Sequence, residues 1–336
     1  MCIRDSNHTG REFFAFADIM EKQEKSKYLD WYFIDEFPLK SERGEIPNFK
    51  CFGYYGGMPK LNLKNPEVEK FITDVACYWI RECDIDGWRM DVGDEISHFF
   101  WKNFRKAIKA VKKDMLIIGE IWHYAGDFLE GDEWDTVMNY PFYLNLIDLL
   151  ADEKINVSQF IQNLGYLKGR LNKKCYPLMW NLLDSHDTAR FLHLCKDNKK
   201  KQHLAAAFQL LLPGMPMIYY GDEFAMPGAN DPDCRRGMYW DEEYQDKEMF
   251  EWYKQLLKVR KNHACIVEGE PMEIAARDEE ETIVLTRKNG EETLALIFNC
   301  SSSARMFNEY AQKYDLLREN PFDGKIEGLD AAVIVL

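Results

Sequence analysis

No apolar run in the 336 residues approaches the roughly 18–20 needed to cross a bilayer as a helix, so no transmembrane segment is expected. Positive charge is short: 43 Lys and Arg stand against 57 Asp and Glu, a formal net charge of −14. Phosphate binding needs a basic footprint, which excludes nucleic acid as a partner and disfavours an anionic membrane surface. Paired-cysteine motifs are missing as well. The nine cysteines are scattered singly (Cys2, Cys51, Cys83 and Cys175 among them) with no CxxC pair. An odd, unclustered set suits buried thiols in a reducing compartment, and a cytoplasmic location is the expectation. There is no internal repeat and no low-complexity tract.

What is present is a large core and many rings. Apolar residues make up 46% of the chain and aromatics 14%, including nine Trp and 17 Tyr. A chain of this length suits two domains. Most of the rings serve the core, but flat rings also stack on sugar faces, and the charge fits a neutral or cationic ligand.

Three stretches follow one another. Residues 1–64 are rich in aromatics, Gly and Pro and lack long periodic segments from residue 9 onward, as in a functional excursion. Residues 65–264 alternate helix and strand. Asn65-Pro66 opens a helix with a cap and an N1 proline, and Val68, Phe71, Ile72, Val75 and Trp79 recur at helical spacing. Strands are expected at Asp86–Asp91, Met115–Glu120, Thr136–Met138, Leu178–Leu183 and Met217–Tyr220, and helices at about His98–Lys113, Leu204–Leu212 and Asp246–Lys261. Such alternation indicates an α/β fold with a parallel sheet, and many units in series favour a (β/α) barrel. Residues 265–336 are β only. Thr282–Arg287, an Asn289-Gly290 turn and Thr293–Phe298 form a hairpin, and Asp330–Leu336 is expected to close a small antiparallel sandwich.

Asp91, Glu120 and Asp187 each follow an apolar run and precede a polar loop. A carboxylate at the carboxyl end of a barrel strand faces the mouth where active sites form. Converging carboxyl groups push their pKa values apart, holding one as an acid and another as an anion. Retaining glycosidases need that pair, one group attacking the anomeric carbon while the other protonates the leaving oxygen. Arg89 lies two residues before Asp91, hence on the same strand face, and His186 adjoins Asp187. Singly, each carboxylate reads as a helix cap or solvated loop residue. Arg89–Asp91 alone is an ordinary ion pair, and the carboxylates with His123 and His186 match a divalent-metal set. Their joint occurrence at three strand mouths along the chain carries the argument.

Asp86-Gly-Trp-Arg-Met-Asp91, Gly119-Glu-Ile-Trp-His123 and Leu183-Asp-Ser-His-Asp-Thr188 resemble, in order, three stretches of the α-amylase family of glycoside hydrolases. Met58-Pro-Lys-Leu-Asn62, Tyr219-Tyr-Gly-Asp-Glu223 and Asn230-Asp-Pro-Asp-Cys-Arg235 resemble motifs of its neopullulanase, cyclomaltodextrinase and maltogenic amylase subgroup. The resemblance implies a (β/α)8 TIM barrel with an inserted irregular domain B and a C-terminal β-sandwich. It implies a retaining hydrolase of α-1,4 or α-1,6 glucosidic bonds in maltooligosaccharides, cyclodextrins or pullulan. Asp91 is then the nucleophile, Glu120 the acid and base, and Asp187 the transition-state stabiliser. Arg89 and His186 flank the scissile sugar, His8 contacts it, Asp231 and Arg235 hold the next sugar, and Trp122 lines the leaving-group side. No metal ligand and no cofactor is implied, calcium being left open, and relatives often form homodimers.

Two local departures stand out. Val92-Gly-Asp-Glu-Ile96 replaces the subgroup's more usual Ala-Asn-Glu after the nucleophile, and Ala189 stands where an acidic residue is common. Asn7-His8-Thr9-Gly10 resembles the tail of the family's first motif, whereas Met1–Ser6 does not read as a buried strand. The expectation is an N-terminally truncated chain, lacking the first barrel strands and poorly soluble or inactive by itself while the longer parent is active. Competing readings are an α-1,6-glucosidase or glucanotransferase of the same family, an unrelated metal-dependent barrel enzyme, and a catalytically inactive amylase-like binding subunit.

Overall fold

The computed structural model describes residues 2–40 and 46–336 and divides into two compact units, one ending at Met138 and one spanning Asn139–Leu336.

The first unit holds β1 (Cys2–Asp5), α1 (Phe14–Lys22), α2 (Pro66–Cys83), β2 (Gly87–Asp91), α3 (His98–Val111), β3 (Leu116–Gly119) and β4 (Thr136–Val137). The four strands are parallel and lie in sequence order, β1-β2-β3-β4. An order without reversal is the winding of a barrel wall, not of a doubly wound sheet. Register aligns Asp5 with Asp91 and Met90 with Gly119, so strand ends come level on one edge. The first residues thus depart from the sequence expectation: Cys2–Asp5 forms a strand beside β2. Ladder pairing uses backbone groups, which a segment of low apolar content supplies as well as any other.

Asn65 caps α2 as expected, its side chain accepting from the Glu67 amide, and Pro66 occupies N1. Ser97 caps α3, whose Phe100, Trp101, Phe104 and Ile108 are fully buried. The excursion between β1 and α2 contains the nine-residue helix α1, which the lack of long periodicity concealed. It is held by isolated bridges (His8 to Lys60, Tyr32 to Leu61, Cys51 to Pro59) and by ring contacts such as Phe16–Tyr32 at 5.0 Å.

The second unit begins with α4 (Tyr140–Leu146), which runs into a π-helical turn over Ile147–Ala151, then α5 (Val157–Arg170). β5 (Trp180–Leu182), α6 (Phe191–Leu194), α7 (Lys199–Leu211), β6 (Met215–Met217), α8 (Lys247–Asn262) and α9 (Cys265–Glu268) follow. β5 and β6 pair in parallel. Helix α5, absent from the helices expected from the sequence, carries a full capping box, Asn156 with Gln159. β6 lies earlier than expected. Its chain leaves the sheet after Met217 because Tyr219 and Tyr220 pack on the Arg190 guanidinium and Gly221 turns with φ 91°.

The remaining strands are β7 (Glu270–Arg277), β8 (Thr282–Asn289), β9 (Glu292–Asn299), β10 (Arg305–Met306), β11 (Tyr314–Asp315), β12 (Asn320–Pro321), β13 (Lys325–Ile326) and β14 (Asp330–Val335). Six form one antiparallel sheet in the order β12-β11-β14-β9-β8-β7, and β10 pairs with β13. The hairpin stands as read, turning at Gly290 with φ 60°. Alternation along β9 sends Leu294, Leu296 and Phe298 into the core shared with α7, and Ala295 and Ile297 toward Phe307, Phe322 and Ile326. The expected sandwich is therefore a six-stranded sheet covered on its second face by a two-stranded ribbon and its loops.

Candidate active site

In the first unit, β2 and β3 deliver Arg89, Asp91 and Glu120 to one edge. Arg89 is 2% exposed at its side chain and forks: Nη1 donates to Asp91 Oδ1, while Nη2 lies 3.0 Å from Glu120 Oε1. A planar guanidinium can hold two carboxylates in fixed register, which a lysine cannot. Glu120 is buried and accepts from the Val92 amide at 2.9 Å and from Trp122 Nε1 at 3.1 Å. Burial raises the Glu120 pKa above the ordinary carboxyl range, opposed by Arg89, the Val92 N–H and Trp122, and reinforced by Asp91. Asp91 keeps about a quarter of its side chain open to solvent. One carboxyl is thus biased toward the acid and its neighbour is paired with a cation and accessible, the division of labour that glycoside hydrolysis requires.

Backbone strain supports this pair. Val92, directly after Asp91, has φ 45° and ψ 45°, a conformation that a β-branched residue adopts rarely and at a cost of roughly 1–3 kcal/mol. That turn brings the Val92 N–H onto Glu120, while the Gly93 amide donates to the Glu120 carbonyl at 3.1 Å. Beneath lies Trp134, 1% exposed, stacked on Phe128 at 4.2 Å and filling the space where Gly93 and Gly119 lack a Cβ. Neither the Val92 conformation nor the packing of Trp134 was legible in the sequence, because a dihedral and a long-range packing partner leave no local signature.

Trp122 combines its bond to Glu120 with an exposed ring, as a sugar platform needs. His8 stacks on Phe52 at 5.2 Å with rings 8° from parallel. Beside it Asn7 donates to Glu95, which also pairs with Lys60 at 2.6 Å. His123 meets Asp94 at 3.0 Å, and among the described residues no group of three or more His, Cys, Asp or Glu is placed to hold a metal ion.

In the second unit a short loop after β5 carries His186 and Asp187. His186 Nε2 lies 3.0 Å from Asp187 Oδ2. Arg235 ties the loop to its own: Nη2 to Asp187 Oδ1 at 2.9 Å, Nε to the His186 carbonyl at 2.7 Å and to Asp231 Oδ1 at 2.8 Å. The loop is turned by Ser185, whose amide donates to Thr188 Oγ1 and whose hydroxyl accepts from the Asp187 amide. Asp187, His186, Asp231 and Arg235 are all partly exposed and form one polar cluster. Arg89, Asp91, Glu120 and Trp122 form the other.

Residues 5–269 match the family model described as alpha amylase, catalytic domain. The chain is 45% identical over 298 residues to a cyclomaltodextrinase of Geobacillus thermopakistaniensis (strain MAS1), covering 89% of this chain and 50% of that protein. A solved cyclomaltodextrinase structure superposes with a TM-score of 0.92 at 34% identity, covering 99% of this chain and 60% of the other. A cyclic α-maltosyl-(1→6)-maltose hydrolase from Arthrobacter globiformis gives 0.88 at 31%, covering 99% and 74%. The chain spans about half the length of the curated relatives it matches. The fold class is accordingly a TIM barrel with a C-terminal antiparallel sheet. With 5–269 inside the family's catalytic domain and its three signature stretches intact, the chain belongs to the α-amylase family of glycoside hydrolases.

Proposed function

We propose that the protein is a retaining α-glycoside hydrolase acting on α-1,4-linked glucose oligomers, among them cyclic maltodextrins. The observation that carries the reading is the Arg89-forked pair of Asp91 and buried Glu120. Asp91 attacks the anomeric carbon as the glycosidic C–O bond breaks, and Glu120 gives its proton to the departing oxygen. Water then attacks the β-linked glucosyl ester, Glu120 takes its proton, and Asp91 leaves, so two inversions retain the α configuration. Asp187 stabilises the oxocarbenium-like transition state, with Arg89 and His186 beside the scissile sugar and His8 in contact with it. Asp231 and Arg235 hold the next sugar, and Trp122 lines the leaving-group side. Two carboxyl groups and water complete this chemistry without a cofactor. The finer fold reading, a (β/α)8 barrel in which residues 1–64 hold the end of the third barrel strand and a domain-B-like excursion, belongs to the same proposal.

Similarity to a hydrolase named for an α-(1→6)-linked cyclic substrate supports a second reading, action on α-1,6 bonds. Product analysis on cyclodextrin, pullulan and maltotriose separates the two. A cytoplasmic setting is supported by eight free cysteines, Cys51 through Cys300. Among the described residues no helix is long and apolar enough to cross a membrane. Asp91→Asn tests the mechanism: turnover of maltotriose should disappear while the thermal transition is retained. Wild-type turnover in that variant would remove Asp91 as nucleophile.

A further inference from the structure

Behind the Asp187 loop three charged side chains are sealed from solvent. Asp184, Asp222 and Arg190 are each about 1% exposed. Asp184 Oδ2 accepts from the Phe191 amide at 2.7 Å, and Asp222 Oδ1 accepts from Arg190 Nη1 at 3.1 Å. The other oxygen of each carboxyl, Asp184 Oδ1 and Asp222 Oδ2, is buried without any donor, although the two carboxyls lie within hydrogen-bonding reach of each other. Two buried orphan acceptors on neighbouring carboxyls are explained by one proton held between the groups.

Charge counting gives the same answer. Two buried carboxylates against one guanidinium leave an uncompensated negative charge, which a dry interior does not tolerate. One bound proton makes the trio neutral. Apart from Glu223, the groups named around it are uncharged. Tyr219 and Tyr220 carry their rings on the guanidinium, with Arg190 Cζ 4.1 Å from the Tyr219 centroid. Gln202 of α7 donates to the Asp222 carbonyl. The Tyr253 hydroxyl of α8 is buried nearby, and burial holds it neutral. Burial likewise pushes Tyr143 of α4 up to about 12. Glu223 is the remaining acidic neighbour and accepts from the Gly221 amide.

We infer that Asp184 and Asp222 form a buried carboxyl–carboxylate pair that keeps one shared proton at neutral pH and acts as the positioning element for the Asp187 loop. The route to that loop is short. Asp184 lies three residues before Asp187, and Arg190, held by Asp222, donates through Nε to the Cys234 carbonyl at 3.2 Å. Cys234 Sγ and Arg235 Nε both bond the His186 carbonyl, and Arg235 reaches Asp187. Burial pushes Asp184 up to about 6 and Asp222 well above the usual carboxylate range, in the same direction. The link to catalysis rests on the reading of Asp187 given above; the shared proton does not.

The test compares wild type, Asp222→Asn and Asp222→Ala. Folded carboxyls that hold a proton the unfolded chain has released make stability fall with rising pH, with the unfolding constant growing up to about tenfold per pH unit per proton. Urea unfolding from pH 5 to 9 should show that dependence in wild type and lose up to one proton's worth in Asp222→Asn, whose amide donates permanently. Equal pH dependence in both overturns the inference. If the variants do not fold, carboxyl-carbon NMR of 13C-aspartate wild type decides it. One carboxyl should stay in the protonated range at pH 7, and uniformly ionised aspartates overturn it. For positioning, Asp222→Ala should lower kcat on maltotriose and Asp222→Asn should restore it. A folded alanine variant with wild-type kcat overturns that role. No turnover in any form, wild type included, would instead leave the stability result standing and move the same kcat comparison to the longer chain expected from the sequence.

Discussion

Gly93→Ala is the perturbation whose magnitude follows most directly from the structure. A Cβ at Gly93 would lie 2.5 Å from Trp134 Cζ2 and 2.8 Å from Cη2, where carbon atoms in contact need about 3.5–4.0 Å. Relief requires a shift of about 1 Å, and Trp134 has nowhere to go. Its ring is stacked on Phe128, edged by Trp101 at 5.5 Å, and backed by Gly119, whose own missing Cβ would sit 2.3 Å from Cε3. Overpacking of a dense core costs about 1–3 kcal/mol, which for a chain of this size lowers Tm by roughly 2–10 °C. The strained Val92 amide immediately precedes Gly93, so the same shift disturbs its bond to Glu120, and kcat should fall along with stability. Trp134→Phe removes the crowding atoms and by itself leaves a void. The double variant should recover most of both losses, a coupling of about 0.5–3 kcal/mol in a double-mutant cycle by urea unfolding. Additive losses, or a Gly93→Ala chain as stable as wild type, would refute the packing argument.

Glu120→Gln should abolish maltotriose turnover yet raise stability at alkaline pH relative to wild type. The folded pKa of Glu120 is raised, so its contribution is full below the unfolded value and is lost as pH climbs through the folded one, a loss that glutamine does not suffer. Equal Tm differences at pH 5 and pH 9 would contradict this. Arg235→Ala should lower kcat/KM by roughly ten- to a hundredfold, the worth of charge-assisted hydrogen bonds, through release of Asp187 and Asp231. Because that cluster is half exposed, Tm should move little. A large Tm loss with unchanged kcat/KM would reverse the assignment.

Much of the arrangement was legible in the chain because it rests on local rules. Buried strands ending in a carboxylate marked β2 and β3, the Asn65-Pro66 pair marked the start of α2, and the Asn289-Gly290 turn marked the β8–β9 hairpin. The fork of Arg89 onto Asp91 was foreshadowed by a two-residue spacing on one strand face. Helix α5 and strand β6 were read less well. The first carries both a capping box and apolar residues at helical spacing (Val157, Phe160, Ile161, Leu164 and Leu167), and the second ends where tyrosines turn aside to cover a buried arginine.

Composition, order of motifs and residue spacing therefore determined, by themselves, that this is an acidic α/β chain with three carboxylates at the ends of apolar runs and a β-only tail. Those are properties of neighbours in sequence, and neighbours are what spacing describes. Only the tertiary structure decided that Cys2–Asp5 joins the parallel sheet, that Glu120 is buried while Asp91 is open, and that Trp134 occupies the room left by two glycines. It alone brought Asp184, Arg190 and Asp222 together in a sealed space. Burial, strain and the count of charges in a closed volume arise from segments far apart in the chain. They set which carboxyl holds a proton, and that is where the chemistry begins.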